Sequence, residues 1–528
     1  MSNSLSTADD AMEDTSRPPS ELTRSKFYDY TRDFERSLIK YNIEARGVRR
    51  VLPQECHPLT WRSYLQTFLL WFSGNLAAQN TSLGMLGPTI FALSFRDACL
   101  CAFFGSLIGA TGPSYIATFG PISGNRTLIF ARYTFGWYPS KLLVILNLIV
   151  LLGYNMIGLV IAGQILSAVS VNGSMSIVVG IIIVAIVSWV ITTFGISVFH
   201  TYQRYAFIPA LIAFSILYGV SSHNYDLSTP SQGDSRTVVG SRISFLSLTL
   251  SAAITYGGTA ADFFVYYPPT TAPVGIFSLS LLGLLCSFTF AYCVGIGLAS
   301  GILSIPAYGT AYAQSQGALI VAGFTESTSP SNFNTGFGKF LSVVIAFSLV
   351  ANIVLPTYSS GIDFQILGKN FEKIPRVVWN SVGVIICTVC ALAGRDHLAE
   401  IFTNFLALMG YWVIIWIGIT LEEQFLFRSR FGFRTGIRKK EDRRGWGQDY
   451  DWTCWNQPEG LPLGIAALAS FLVGWSGAIL CMAQYWYTGP IAKLIGEHGA
   501  DLGNFVGLSW AILVYPPLRW LEVKRFGR

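Results

Sequence analysis

The sequence predicts an all-α polytopic membrane protein with about twelve transmembrane helices. Three observations carry this expectation. Charged residues make up 12% of the 528-residue chain and hydrophobic ones 52%, which is about half the charge of a soluble domain. Apolar runs recur along most of the length, and many reach the roughly eighteen residues that a helix needs to cross a bilayer. The runs are solidly apolar and lack the alternation of a membrane barrel. In lipid, then, each must satisfy its backbone internally as a helix.

Taken in order, the expected spans cover about 64–92, 97–119, 139–168, 175–195, 205–221, 243–262, 275–301, 339–360, 376–394, 399–421, 462–484 and 500–518. This divides the chain into a polar tail at 1–62, a ten-helix core at 63–421, a basic loop at 422–460, two further helices at 461–518 and a second tail at 519–528. No apolar h-region precedes the first span. That span should act as its own insertion signal, which leaves the tail cytosolic.

The basic residues give the orientation. Segments expected inside hold the tail from Arg17 to Arg62, then Arg126, Arg132, Lys141, Arg204, Lys369, Lys373 and Arg376, the loop from Arg428 to Arg444, and Arg519 to Arg528. Segments expected outside hold Arg96, Arg236, Arg242, Lys339, Arg395 and Lys493, and the stretch 306–338 holds no Lys or Arg. This asymmetry predicts both termini in the cytosol. The formal charge of +6 is thus a topology signal spread over many loops, not a basic patch for nucleic acid. The nine cysteines form no framework for a disulfide-built ectodomain. Asn172-Gly173-Ser174 is an acceptor sequence for glycosylation on the outer side.

Secondary transporters often bind solute where two helices break at mid-membrane in equivalent positions of inverted repeats. Span one carries Gly84-Met85-Leu86-Gly87-Pro88 after Asn80, Thr81 and Ser82. Span six carries Tyr256-Gly257-Gly258-Thr259, followed by Asp262. Spans one and six correspond in a five-plus-five repeat (about 63–221 and 243–421) that leaves spans eleven and twelve outside. Glycine and proline free backbone groups, which must then face a cavity, protein or ligand. The competing explanation for the glycines is close helix packing. Polar groups inside other apolar runs add candidates: Asn147, Tyr154, Asn155 and Gln164 in span three, and Ser348, Asn352, Pro356 and Thr357 in span eight. An amide offers a donor and an acceptor together, and an aromatic ring stacks on a flat solute. Such a set suits a neutral polar heterocycle. Asn80, Asp262 and Thr357 are candidates for coupling or gating, since an acid at membrane depth often marks an ion path. Asp363 reads more simply as an inner helix end.

Several of these residues carry a resemblance. Gly84 to Pro88, Ser123-Gly124-Asn125-Arg126, Ala131-Arg132-Tyr133-Thr134-Phe135-Gly136, Gly163-Gln164, Ala261-Asp262-Phe263 with Tyr267-Pro268, and Ala351-Asn352 together resemble the fungal purine–cytosine permeases of the nucleobase–cation symporter 1 family. The resemblance spans roughly residues 45–520. It implies a leucine-transporter-like fold and import of purines or cytosine with protons across the plasma membrane, with no cofactor. It also implies a site among spans one, three, six and eight, with Ser82, Tyr154, Gln164 and Asn352 as carried-over positions. The chain departs from the family pattern at Gly158, Ile353, Leu355 and Pro356, where amides or a proline are usual. Losing hydrogen-bonding groups changes discrimination strongly. A same-fold importer of another heterocycle, such as a pyridoxine-like vitamin, is therefore the alternative expectation, and a non-transporting membrane sensor a more distant one. Sodium stays open as coupling ion, because Ser348 or Thr357 could supply hydroxyl ligands.

Other classes fit poorly. The five histidines lie at or beyond span ends, and none pairs with another at a metal-ligand spacing. No GxxxxGK[ST] phosphate loop is present, which argues against an ATP-driven pump. The sequence therefore predicts no enzyme and no bound metal.

Overall fold

The computed structural model describes residues 47–170, 174–193, 196–326, 333–428 and 450–527. The acceptor asparagine at 172, residues 1–46 of the tail and residues 429–449 of the basic loop lie outside them. Among the described residues the secondary structure is helical apart from one isolated bridge, Ala483 to Thr488. Span one is divided into Trp61–Asn75 and Ala78–Thr89. Spans two to five are Phe95–Ala117, Ser140–Val169, Ile177–Thr193 and Ile196–Ser221. Span six is Ser235–Ile254, continued by a 3-10 segment at Thr255–Phe263. Spans seven to ten are Pro273–Ser300, Thr335–Ile366, Arg376–Gly394 and Leu398–Glu422. Ile465–Cys481 and Gly503–Phe526 complete the set. Eight helices among the described residues are long and apolar enough to cross a bilayer. The divided span one and the shorter spans four and eleven do not reach that length.

Local chemistry sets several of the ends. Ser94 accepts from the Asp97 amide at the start of span two, Asp234 from Thr237 at span six, and Asn334 from Gly336 and Phe337 at span eight. Each satisfies amides that have no partner within the helix itself. Spans three and eight pack along each other through the centre. Span seven lies against both halves of span one, span two against span six, and span eleven against span twelve.

One buried charge in this apolar bundle is paired with cations. At the end of span ten, where the helix widens into a π turn at Glu423–Phe427, Glu423 is fully buried. It accepts from Tyr515 Oη at 2.8 Å, Arg519 Nε at 3.0 Å and Arg428 Nε at 2.8 Å. Arg519 also reaches Glu522 at 3.3 Å. This knot fastens span twelve to span ten. Removing one member of such a buried pair typically costs about 3–5 kcal/mol.

One expectation is corrected here. Span one breaks at Leu76 and Ala77, not at Gly84–Pro88, which lie inside its second half. Gly84 serves packing: a Cβ there would stand 2.5 Å from the Tyr292 carbonyl oxygen of span seven. Pro88 falls near the helix end. Span six does not fully part at Gly257-Gly258 but tightens from α to 3-10 winding.

Candidate transport site

The break in span one places a group of polar side chains inside the bundle. Asn75, Gln79, Asn80, Thr81 and Ser82 are each at most 3% exposed. Asn80 Nδ2 donates across the gap to the Asn75 carbonyl at 2.7 Å. Asn352 of span eight donates through Nδ2 to the Gly74 carbonyl at 2.7 Å, just before the break, and to Tyr256 Oη at 3.1 Å. One amide thus joins spans one, six and eight. Tyr154 of span three bonds to the Ala252 carbonyl at 2.9 Å and to Thr255 Oγ1 at 2.8 Å, where span six changes winding. Its ring lies 5.8 Å from that of Tyr256. A narrow cavity lined by Tyr154, Thr255, Tyr256, Thr259, Leu355 and Pro356 measures about 10 Å³, room for about one water.

Several buried oxygens here have no hydrogen-bond partner among the described residues: Asn75 Oδ1, Gln79 Oε1, Ser82 Oγ, Asn155 Oδ1 and Asn352 Oδ1. A buried polar group left unsatisfied costs about 1–3 kcal/mol. Such a concentration calls for an explanation, and a polar ligand supplies one.

A second cluster lies along the 3-10 segment. Gly258 packs so closely on span three that a Cβ would fall on Asn147 Oδ1, while Gly257 faces Ile417 and Val413 of span ten. Asn147 Nδ2 donates to the Gly258 carbonyl at 3.2 Å and to Asp363 Oδ2 at 2.7 Å. Asp262 Oδ1 accepts from the Thr127 amide at 2.7 Å and from Thr127 Oγ1 at 2.9 Å, and Arg126 donates to the Asp262 carbonyl at 2.8 Å. Both carboxylates are at most 2% exposed. The sequence placed Asp363 at a helix end; the structure buries it against span three.

The stretch from Ser123 to Gly136 that carried the most specific resemblance sits beside this cluster. Its Gly124 carbonyl accepts from Val51 at 2.9 Å, Arg132 donates to the Trp455 carbonyl at 3.0 Å, and Tyr133 donates to the Asp451 carbonyl at 3.1 Å. Burial pushes the Arg132 guanidinium down to about 10, so it stays cationic at neutral pH over the ring of Trp137, 4.1 Å away.

The structure thus gathers Tyr154, Asn352, Pro356 and Asn80 around one centre, with Ser82 buried further along the second half of span one. Asn155 is turned to Thr357, donating at 2.9 Å. Gln164 is elsewhere: its Oε1 accepts from the Gly317 amide at 3.2 Å, pinning the helix Gln316–Thr325. Gln79 was passed over in the sequence. Its place next to the break was the available signal, and it went unread because the break was expected further along.

A helical bundle with a divided span, a tightened partner span and polar groups between them defines a secondary transporter of the leucine-transporter-like fold. The chain belongs to the nucleobase–cation symport-1 family: residues 56–496 match the family described as "Permease for cytosine/purines, uracil, thiamine, allantoin". It is 34% identical over 521 residues to the vitamin B6 transporter TPN1 of Saccharomyces cerevisiae, covering 92% of this chain and 88% of that one. It is 30% identical over 495 residues to the purine-cytosine permease fcyB of Emericella nidulans, covering 94% and 92%. Among solved structures it is similar to Mhp1 in a closed conformation with bromovinylhydantoin bound. There the TM-score is 0.60 at 16% identity, over 92% of this chain and 96% of that one.

Proposed function

We propose that this transporter imports a small hydroxylated heterocycle of the pyridoxine kind. The observation that carries this is the composition of span eight at the site. Asn352 is followed by Ile353, Val354, Leu355 and Pro356, and span three presents bare backbone at Gly158. Once the narrow cavity widens in the transport cycle, one anchored amide, two tyrosines and apolar walls suit a flat ring without the full set of edge contacts that a nucleobase offers. The likeness to the vitamin B6 transporter supports the same reading. A second reading, purine or cytosine import, is favoured by the likeness to the purine-cytosine permease. A competitive uptake panel of pyridoxine, cytosine, adenine and hypoxanthine, in cells lacking their own permeases, separates the two. Saturable uptake of cytosine alone overturns the first reading.

In this proposal the protein lies in the plasma membrane with both termini cytosolic. The repeats at about 63–221 and 243–421 each contribute to both moving groups of an alternating-access cycle: spans one, two, six and seven, which pack together, move against spans three, four, eight and nine. Protons are the coupling ion, with Asp262 as the gating acid and Asn80 and Thr357 bracing the moving helices. Uptake then falls as external pH rises and collapses with a protonophore. Uptake that depends on sodium and ignores both treatments overturns proton symport.

A further inference from the structure

The open oxygens around the break in span one share a chemistry that the proposed function does not use. The amide nitrogens of Asn75 and Asn352 are committed inside the protein: Asn75 Nδ2 donates to the Trp71 carbonyl at 3.0 Å, and Asn352 Nδ2 to Gly74 and Tyr256. Beside the hydroxyls of Ser73, Thr81 and Ser82, the atoms without a partner among the described residues include the carbonyl oxygens Asn75 Oδ1, Gln79 Oε1 and Asn352 Oδ1. A carbonyl oxygen accepts and cannot donate. A ligand that satisfies this set must therefore present several O–H or N–H groups.

Gln79 is buried, 2% accessible. It stands in the first turn after the break. A Cβ built at Gly158 would lie 3.2 Å from Gln79 Oε1 and 3.0 Å from Ile353 Cγ1. The carboxamide of span one thus reaches the point where spans three and eight meet. Span three has no side chain there, and span eight offers a hydrocarbon. Any residue larger than glycine at 158 would press on the carboxamide, so the glycine keeps that reach open. We infer that Gln79 determines specificity in the transport site, its carbonyl accepting a hydrogen bond from a hydroxyl or N–H of the solute, with Gly158 making room for it.

This inference rests on the proposed transport function, and one experiment distinguishes their failures. Uptake of pyridoxine and of cytosine is measured in permease-deficient cells. Each competes against analogues that lack one donor group: the pyridoxines without one hydroxyl, and the pyrimidine without the amino group. A site built to bond a donor rejects the analogue lacking it by a wide margin. We expect the native chain to disfavour one analogue at least tenfold, and Gln79→Met to shrink that ratio to within about threefold, leaving the other ratios unchanged. Gln79→Glu, which keeps an acceptor oxygen at the same reach, retains the discrimination. Surface abundance cancels from every ratio. If Gln79→Met fails to reach the surface, Gly158→Ala, which displaces the same carboxamide, must shift the same ratio. Ratios identical to native in the variant that is expressed overturn the role of Gln79 alone. No uptake of either solute by the native chain overturns the transport proposal and this inference with it.

Discussion

At the break of span one, the carbonyl oxygens of Asn75, Gln79 and Asn352 face no donor; at the junction of spans ten and twelve, Glu423 accepts from Tyr515, Arg519 and Arg428. Both clusters are buried in the same apolar bundle, and both cost desolvation. The second recovers that cost within the protein and acts as a fastening. The first does not, and under the proposed function a solute recovers it on binding. Saturation of polar atoms, not their number, separates the structural cluster from the candidate functional one.

Mutations should therefore divide along the same line. The largest effect is expected at the fastening. Glu423→Ala strands two arginines, and a loss of about 3–5 kcal/mol should appear as a sharp fall in folded protein by thermal-shift or size-exclusion measurement; a native-like melting profile would dissolve the contrast. Gly258→Val comes next. Overpacking against Asn147 costs about 1–3 kcal/mol and jams the 3-10 segment, so transport should vanish while part of the protein still reaches the surface. Asn352→Ala should reduce uptake at least tenfold, about 1.4 kcal/mol, per molecule at the surface, with stability lowered by about 1–3 kcal/mol for the stranded Gly74 carbonyl; unchanged kinetics would remove Asn352 from the site. Asp262→Asn keeps an acceptor for Thr127 but removes the charge, so we expect a few-fold loss of turnover and a flattened pH profile. Ser82→Ala is the smallest, about a two- to fivefold rise in KM with maximal rate retained. A drop in maximal rate alone would place Ser82 in packing.

Much of the architecture was legible because a bilayer imposes one rule on backbone polar groups. Apolar run length located spans such as Phe95–Ala117 and Leu398–Glu422 to within a few residues, while spans five, six, eight and twelve reach further than their apolar runs, as Ile196–Ser221, Ser235–Ile254, Thr335–Ile366 and Gly503–Phe526. The break in span one was not legible. Gly84 and Pro88 are the residues that break helices in isolation, yet Gly84 is spent on contact with Tyr292, while Leu76 and Ala77, ordinary helix formers, sit at the gap. Tertiary bonds decide there: Asn80 and Asn352 both bond to carbonyls just before it. The fate of Gln164 could not be read for a related reason. An amide inside an apolar run signals a buried partner but does not say which, and here the partner is the Gly317 amide of the helix Gln316–Thr325. Asp363 was undervalued because its partner, Asn147, is 216 positions away in the chain.

The short stretch from Ser123 to Gly136 touches three parts of the protein at once. Through Arg126 and Thr127 it grips the Asp262 region of span six; through Gly124 it bonds to Val51 in the N-terminal segment; through Arg132 and Tyr133 it bonds to the 450–456 loop. The same stretch thus links span six to two segments far apart in the sequence. A fluorophore on the partly exposed Cys454 would test from outside the membrane whether events at the buried Asp262 carboxylate reach this loop, giving the proposed transport cycle an external pointer.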